Sequence, residues 1–195
     1  MFEKLAEKSL NLMGWELDNH WDLNVDQCVM IAAPHTSNWD ALYARLGLKA
    51  LGVNVRLTIK DSYMKLPFGP FVRAMGGIGI DRRVKQAGQE RPSMVQLMSD
   101  LFKTHPKLVM LVTPEGTRAK QEQWKTGFYH VAMTAGVPIA LAYMDYAKKK
   151  TGVGKMIYPT GNYELDMAEI MAFYAEINAK HPEKFSVDQR YANNK

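Results

Sequence analysis

The fold of this chain is decided by the stretch CVMIAAPHTSNWD, residues 28–40. Its first six residues are apolar, and a short apolar run bounded by a turn signal is typical of a strand buried on both faces. Pro34 ends that strand because proline has no backbone N–H. Ser37 followed three residues later by Asp40 matches a capping box at the start of a helix. The stretch therefore predicts a strand that runs through a turn into a helix, with His35 held in the turn.

The rest of the chain repeats this alternation. Strands are predicted at 15–18, 29–33, 53–59, 77–80, 108–112, 137–143 and 155–159, and helices at 2–13, 40–51, 92–104, 127–135 and 166–179. Pro67, Gly69 and Pro70 interrupt the region between 61 and 75, so it should contain only short helical pieces. Such alternation favours a single α/β domain with a mixed, largely parallel sheet flanked by helices.

Composition limits the class of protein. The chain has 195 residues, a net charge of +5 and a hydrophobic fraction of 47%, which suits one globular domain with its own core. No apolar run approaches the length of a transmembrane helix. Cys28 is the single cysteine, which fits a reducing cytoplasm and a core position. The mild positive charge favours an anionic partner, but the basic residues are dispersed and no nucleic-acid motif occurs.

The ends of the chain are predicted to differ from its middle. Residues 1–14 form an amphipathic helix, 15–180 the main domain, and 181–195 a polar tail that frays. The apolar face of the helix is predicted to hold Phe2, Leu5, Leu12 and Met13, with Glu3, Lys4, Glu7 and Lys8 largely opposite. This helix can pack on its own domain or lie on a bilayer surface, and the sequence leaves both readings open.

Polar side chains follow three of the predicted strands. His35 and Asp40 follow the first, 81–83 (Asp-Arg-Arg) the second, and 115–118 (Glu-Gly-Thr-Arg) the third. The carboxyl ends of parallel strands meet at one edge of the sheet, where ligands bind. We therefore expect these groups to converge on one site.

His35 and Asp40 have the residue types of a general base and its partner. Histidine is the side chain most easily poised as a base near pH 7, and a carboxylate can fix its tautomer and stabilise the imidazolium. Asp40 has a simpler alternative role, which is to cap the helix and nothing more. The pair as metal ligands is the weaker alternative, because no third ligand lies nearby, and we predict no metal site.

Arginines that follow the other two of these strands indicate an anionic ligand. The guanidinium group of Arg82, Arg83 or Arg118 matches the geometry of a phosphate, and Gly116 lets backbone approach a ligand closely. The alternative is that these arginines form surface ion pairs with Asp81 or Glu115.

Taken in order, these motifs resemble the blocks of the glycerolipid acyltransferases, the family of 1-acylglycerol-3-phosphate and other lysophospholipid acyltransferases. The blocks are His35 and Asp40 in an HX4D motif, then 77–82, 114–118 and 137–139. The resemblance extends over roughly residues 28–145 and implies the fold of glycerol-3-phosphate acyltransferase. The sequence departs from the family's usual pattern at Pro34, Gly79 and Thr113, and these departures indicate a divergent subgroup.

The resemblance implies an acyltransferase of phospholipid biosynthesis. An acyl thioester on coenzyme A or acyl carrier protein would acylate the hydroxyl of a lysophospholipid or glycerol phosphate, with His35 as general base oriented by Asp40. The residues implied for holding the acceptor's phosphate are Arg82, Glu115, Gly116, Thr117 and Arg118. No bound metal or redox cofactor is expected.

Two further expectations concern lipid. A possible acyl groove is formed by Met64, Phe68, Phe71 and Met75, although these side chains can equally be core. The chain is expected in the cytoplasm, with peripheral contact to the inner membrane surface through residues 2–13 and the basic turn at 148–150. The alternatives are a non-catalytic lipid-binding protein on the same fold and a thioester hydrolase.

Overall fold

The computed structural model describes residues 2–65, 67–81 and 92–192, and strands and helices alternate along these ranges. The strands are β1 (Glu16–Asn19), β2 (Gln27–Ala32), β3 (Val55–Lys60), β4 (Gly77–Ile80), β5 (Leu108–Val112), β6 (Ile139–Asp145) and β7 (Lys150–Ile157). The helices are α1 (Phe2–Leu12), α2 (Asn38–Ala50), α3 (Gly69–Ala74), α4 (Met94–Thr104), α5 (Gly127–Ala135) and α6 (Tyr163–Ala175). Two short 3-10 segments lie at Asp61–Met64 and Pro182–Lys184.

The strands form one sheet in the order β1-β7-β6-β2-β5-β3-β4. The five strands from β6 to β4 run parallel to their neighbours, whereas β7 is antiparallel to β6 and β1 is parallel to β7. The prediction of a mixed, largely parallel α/β sheet is therefore confirmed. Strand β2 lies between β6 and β5, so the turn that follows it opens near the middle of the carboxyl-end edge.

Both faces of β2 are buried, which explains its central place. Cys28 and Met30 face one core cluster, Val29 and Ile31 face another, and all four have 0% exposure. Helix α2 packs on the first face through Leu48, and α4, α5 and α6 cover the second. Full burial of each such side chain is worth about 1.5–3 kcal/mol relative to exposure, so this strand fixes the sheet's centre.

Helix α1 packs on the domain through a different face from the one the sequence suggests. Ala6 and Leu10 are buried against the domain, where Leu10 joins a small cluster that includes α2 residues. Phe2, Leu5 and Leu12 remain 66%, 61% and 80% exposed. The helix therefore packs on its own domain and still presents apolar side chains to solvent.

Strand β7 and the C-terminal segment differ from expectation. β7 begins at Lys150 rather than at 155, because antiparallel pairing with β6 needs only a tight turn after Asp145. We also expected the chain from His181 to fray, and for the described residues this is wrong. Asp188 has 0% exposure and accepts a hydrogen bond from the Trp124 backbone N–H at 2.9 Å, which holds this segment to the domain.

Candidate active site

A capping box fixes the turn after β2. The Ser37 hydroxyl accepts a hydrogen bond from the Trp39 backbone N–H at 3.2 Å, and the Ser37 N–H donates to Oδ2 of Asp40 at 2.7 Å. The two residues thus satisfy backbone groups that a helix start leaves unpaired. The capping role predicted for Asp40 is therefore present, and it places His35 two residues before the helix cap.

The Asp40 carboxylate is 1% exposed and has two further donors. Oδ2 also accepts the Thr36 backbone N–H at 2.6 Å, and Oδ1 accepts the Tyr146 hydroxyl at 2.7 Å. Nδ1 of His35 lies 3.9 Å from Oδ2, which is beyond hydrogen-bond distance. Asp40 therefore acts on His35 through its charge and through the backbone of the turn.

The His35 side chain is 21% exposed, so it is accessible from solvent yet largely surrounded by protein. Burial lowers the pKa of His35 below its ordinary value of 6.5, and repulsion from the Arg118 guanidinium lowers it further. The negative charge of Asp40 opposes both effects on this pKa. A neutral imidazole near pH 7 is the form that can accept a proton.

Glu115 connects the turn after β5 to the turn after β2. Its Oε1 accepts the backbone N–H of His35 at 2.7 Å, while Oε2 is buried and has no hydrogen-bond partner among the described residues. The residue is 2% exposed, and burial raises the pKa of Glu115 from 4.5 to about 7. Its hydrogen bond from His35 lowers this pKa and the nearby charge of Asp40 raises it, but burial is the largest cause.

The loop after Glu115 turns outward and exposes its polar side chains. Gly116 adopts a φ of +71°, and a Cβ there would lie 2.6 Å from Nζ of Lys125. Glycine adopts this left-handed conformation without the strain that other residues incur, whereas the Lys125 side chain could move to make room for a Cβ. Thr117 and Arg118 follow on the surface. Sequence reasoning did not single out Lys125 as a cation at this loop, although its N–H donates to the Pro114 carbonyl at 2.9 Å.

The third predicted exit is described only in part. Asp81 follows β4, whereas Arg82 and Arg83 lie outside the described residues. β3 separates β4 from β5 in the sheet, so this exit stands farther from His35 than the exit of β5 does.

The predicted acyl-groove residues lie beside β4. Phe68 and Phe71 are 67% and 66% exposed, Met75 is 40% exposed, and Met64 is half-buried. A Cβ at Gly79 would lie 2.8 Å from Cγ of Met64, so the segment before α3 sits directly on β4. Phe68 and Phe71 thus place apolar side chains in solvent beside β4. Met75 lies at the amino end of that strand, at the opposite edge of the sheet from His35.

Sequence reasoning missed Tyr146 and the segment near His181. Burial, together with the hydrogen bond to Asp40, raises the pKa of Tyr146 well above its ordinary value of 10, so its hydroxyl stays protonated and donates. The His181 backbone N–H donates to the Thr36 hydroxyl at 3.4 Å, and Nζ of Lys180 lies 5.0 Å from the centre of the Trp39 ring. The sequence gives only one signal for Tyr146, its position after a predicted strand, because its contact with Asp40 depends on β6 lying beside β2.

Within residues 2–65, 67–81 and 92–192, no three His, Cys, Asp or Glu side chains gather in a way that could hold a metal ion. In the same ranges, no helix combines the length and apolarity that crossing a bilayer requires.

Comparison with known proteins gives one family and one fold. A model of the family described as Acyltransferase matches residues 16–145. The crystal structure of the 1-acyl-sn-glycerophosphate (LPA) acyltransferase PlsC from Thermotoga maritima is similar, with a TM-score of 0.53 and 15% identity, covering 91% of this chain and 80% of that one. No curated protein sequence matches the chain. At this identity, the likeness to PlsC concerns the fold.

Proposed function

The chain belongs to the acyltransferase family, and on that premise we propose that it is an acyl-thioester-dependent O-acyltransferase. The proposed reaction moves a fatty acyl group from acyl-CoA or acyl carrier protein to the hydroxyl of a lysophospholipid or glycerol phosphate. One observation carries the proposal: His35 is largely surrounded by protein yet accessible from solvent, and it follows one parallel strand while Arg118, whose charge lowers the His35 pKa, follows the adjacent one. A base and a phosphate-binding group at one edge suit a phosphate-bearing alcohol.

In this proposal His35 removes the proton of the acceptor hydroxyl as its oxygen attacks the thioester carbonyl. An alcohol is a poor nucleophile near neutrality, so it needs a base. The thiol leaves as thiolate, since its pKa is only about 8.5, and no strong acid is required. The proton on His35 is then released to the thiolate or to water.

Asp40 supports His35 in two ways. Its carboxylate, 3.9 Å from Nδ1, stabilises the imidazolium that forms during attack. It also holds the backbone N–H groups of Thr36 and Ser37, so it fixes the turn that carries the base. The first effect is a catalytic contribution through charge, and the second is a positioning role.

The acceptor's phosphate is assigned to the exposed part of the loop after β5. Arg118 supplies the guanidinium, Thr117 a hydroxyl, and Gly116 an open backbone. Arg82 is proposed as a second guanidinium from outside the described residues. Glu115 is proposed to hold the His35 backbone rather than to bind phosphate. Its buried carboxyl group accepts a hydrogen bond from the His35 N–H and would repel a phosphate if ionised.

Lipid contact is proposed on two surfaces. The exposed side chains of Phe68 and Phe71, together with Met64, are proposed to offer apolar surface for an acyl chain beside β4, and Met75 is proposed to extend this surface toward the amino end of that strand. Helix α1 presents Phe2, Leu5 and Leu12 to solvent and is proposed to rest on the membrane surface. Both surfaces fit an enzyme whose substrates are lipids.

Thiol release from acyl-CoA, and separately from acyl carrier protein, tests the proposal across lysophospholipids, glycerol phosphate and aminolipids. A transferase releases thiol only when a suitable acceptor is present, and the acylated product can be identified by mass. His35→Ala should lower this rate about 10²- to 10⁴-fold while leaving acceptor binding intact. Equal release without acceptor indicates a hydrolase, and binding without release indicates a lipid-binding protein; either result contradicts the proposal.

A further inference from the structure

A cleft of about 550 Å³ lies between α2 and α3, over the start of β3. Leu42, Arg45, Leu46 and Lys49 line one wall at the spacing of one helix face. The start of β3 and the end of α3, including Arg56 and Arg73, form the other wall. The cleft extends along α2 from Leu42 to Lys49, about 10 Å by helix rise, and covers the amino end of β3. The His35 turn follows the carboxyl end of the parallel strand β2, so it lies at the opposite edge of the sheet.

The charge of this cleft has one sign. Arg45, Lys49, Arg56 and Arg73 all line it, and no carboxylate does among the described residues. In that same part of the chain, none of the four has an ion pair within 4.0 Å. Arg73 donates one hydrogen bond to the Met64 carbonyl at 3.1 Å, and the other three cations stand exposed. Four such cations around one concavity favour a polyanionic partner.

The cleft is also apolar at its walls and rim. Leu42 and Met75 line it and are 42% and 40% exposed. Phe71, 66% exposed, precedes this end of α3 by one turn. Nζ of Lys49 lies 5.7 Å from the centre of the Phe2 ring, so the cleft borders the exposed side of α1. No aromatic ring lines the cleft among the described residues, so a nucleotide base has nothing there on which to stack.

We propose that this cationic cleft binds the headgroups of anionic phospholipids in a bilayer. Guanidinium groups pair with lipid phosphates, and the flanking apolar side chains enter the boundary between headgroups and acyl chains. Each cation near an anionic membrane surface adds to binding, so four of them around one cleft favour attachment to such a surface. The site goes beyond acyl transfer, because it can be occupied with no substrate bound.

Vesicle flotation of the full chain tests this, with vesicles of phosphatidylcholine alone or mixed with phosphatidylglycerol. Arg45→Gln combined with Arg56→Gln should weaken binding to the anionic vesicles roughly 10- to 30-fold at low salt. Both side chains are exposed, so the double variant should keep its unfolding temperature. The matched control is Lys103→Gln with Lys184→Gln, which removes two exposed cations from elements that pack around the other core cluster.

The proposal is supported if only the cleft variant loses binding and the loss is confined to anionic vesicles. An equal loss in the control variant would show that net charge alone is responsible and would overturn it. Unchanged vesicle binding with weaker binding of free coenzyme A would identify the cleft as a nucleotide-phosphate site instead, and would also overturn it.

Discussion

The backbone N–H of His35 donates a 2.7 Å hydrogen bond to Oε1 of Glu115, which joins the turns after two neighbouring parallel strands. The bond is largely buried, and the second carboxyl oxygen of Glu115 has no hydrogen-bond partner among the described residues. A buried polar atom left without a partner costs about 1–3 kcal/mol, and more when it is charged. Glu115 therefore holds the base's turn at an energetic cost that depends on its protonation.

This cost predicts a pH-dependent stability. The pKa of Glu115 is about 7 in the folded protein against 4.5 ordinarily, so the folded state binds the proton more tightly. Stability should consequently fall as pH rises between about 4.5 and 7, by up to about 3 kcal/mol. Glu115→Gln, which is neutral at every pH, should remove this fall. The measurement is the free energy of unfolding by urea at pH 5 and pH 8 for both proteins.

The effect of His35 on stability has the opposite pH dependence to that of Glu115. The pKa of His35 is lowered, so its contribution to stability is lost as pH falls through the acidic range. If Glu115→Gln and wild type lose equal stability between pH 5 and pH 8, the raised pKa of Glu115 is not the cause.

The centre of the site could be read from the sequence because local rules decide it. An uninterrupted apolar run makes β2 a central strand, and Ser37 with Asp40 begins α2 by a rule that involves only neighbouring residues. The meeting of His35 with the loop after β5 follows from parallel strands sharing an edge.

Long-range contacts could not be read in the same way. The hydrogen bond from Tyr146 to Asp40 depends on β6 lying beside β2, and strand order is not written in local periodicity. The C-terminal segment docks through the buried Asp188 and Tyr191, which composition alone presents as part of a polar tail. The packing face of α1 differs from the predicted one because the small Ala6 lies in the contact, whereas apolar periodicity favours large side chains.

The pH dependence of the rate tests His35 as the base. Burial and the Arg118 cation lower the pKa of His35, so kcat/KM should rise with pH through a midpoint below 6.5 and level off by neutrality. Arg118→Gln removes the repulsive cation and should move this midpoint upward, whatever it does to the size of the rate. The profile is measured in wild type and in Glu115→Gln, because Glu115 titrates in an adjoining range. If Arg118→Gln leaves the pH midpoint of kcat/KM unchanged, His35 is not the group whose titration controls the rate.

Substitutions at Asp40 and Tyr146 distinguish the effect of the Asp40 charge on His35 from the structural effect of the Asp40 hydrogen bonds. Tyr146→Phe removes the donor to Oδ1 and should cost about 1–3 kcal/mol of stability with little loss of rate. Asp40→Asn keeps the size and one acceptor oxygen but removes the charge 3.9 Å from His35. It should lower kcat about 10-fold or more as well as stability, and lower the pH midpoint further. Urea unfolding and rate profiles of both variants check this, and equal rate losses would make Asp40 a purely structural residue.

The exposed side of α1 should add an apolar contribution to membrane binding that differs in kind from that of the cationic cleft. Phe2 and Leu5 are 66% and 61% exposed, so Phe2→Ser with Leu5→Ser should leave the fold intact. Each buried side chain of this size contributes on the order of 1 kcal/mol or more at an interface, so vesicle binding should weaken at least about 10-fold. Salt screens charge interactions but not the burial of apolar surface, so the loss of vesicle binding in Phe2→Ser with Leu5→Ser should persist at high salt. The loss of binding in Arg45→Gln with Arg56→Gln should vanish at high salt. Flotation at low and high salt distinguishes the two, and a loss seen only at low salt would exclude α1 as an apolar anchor.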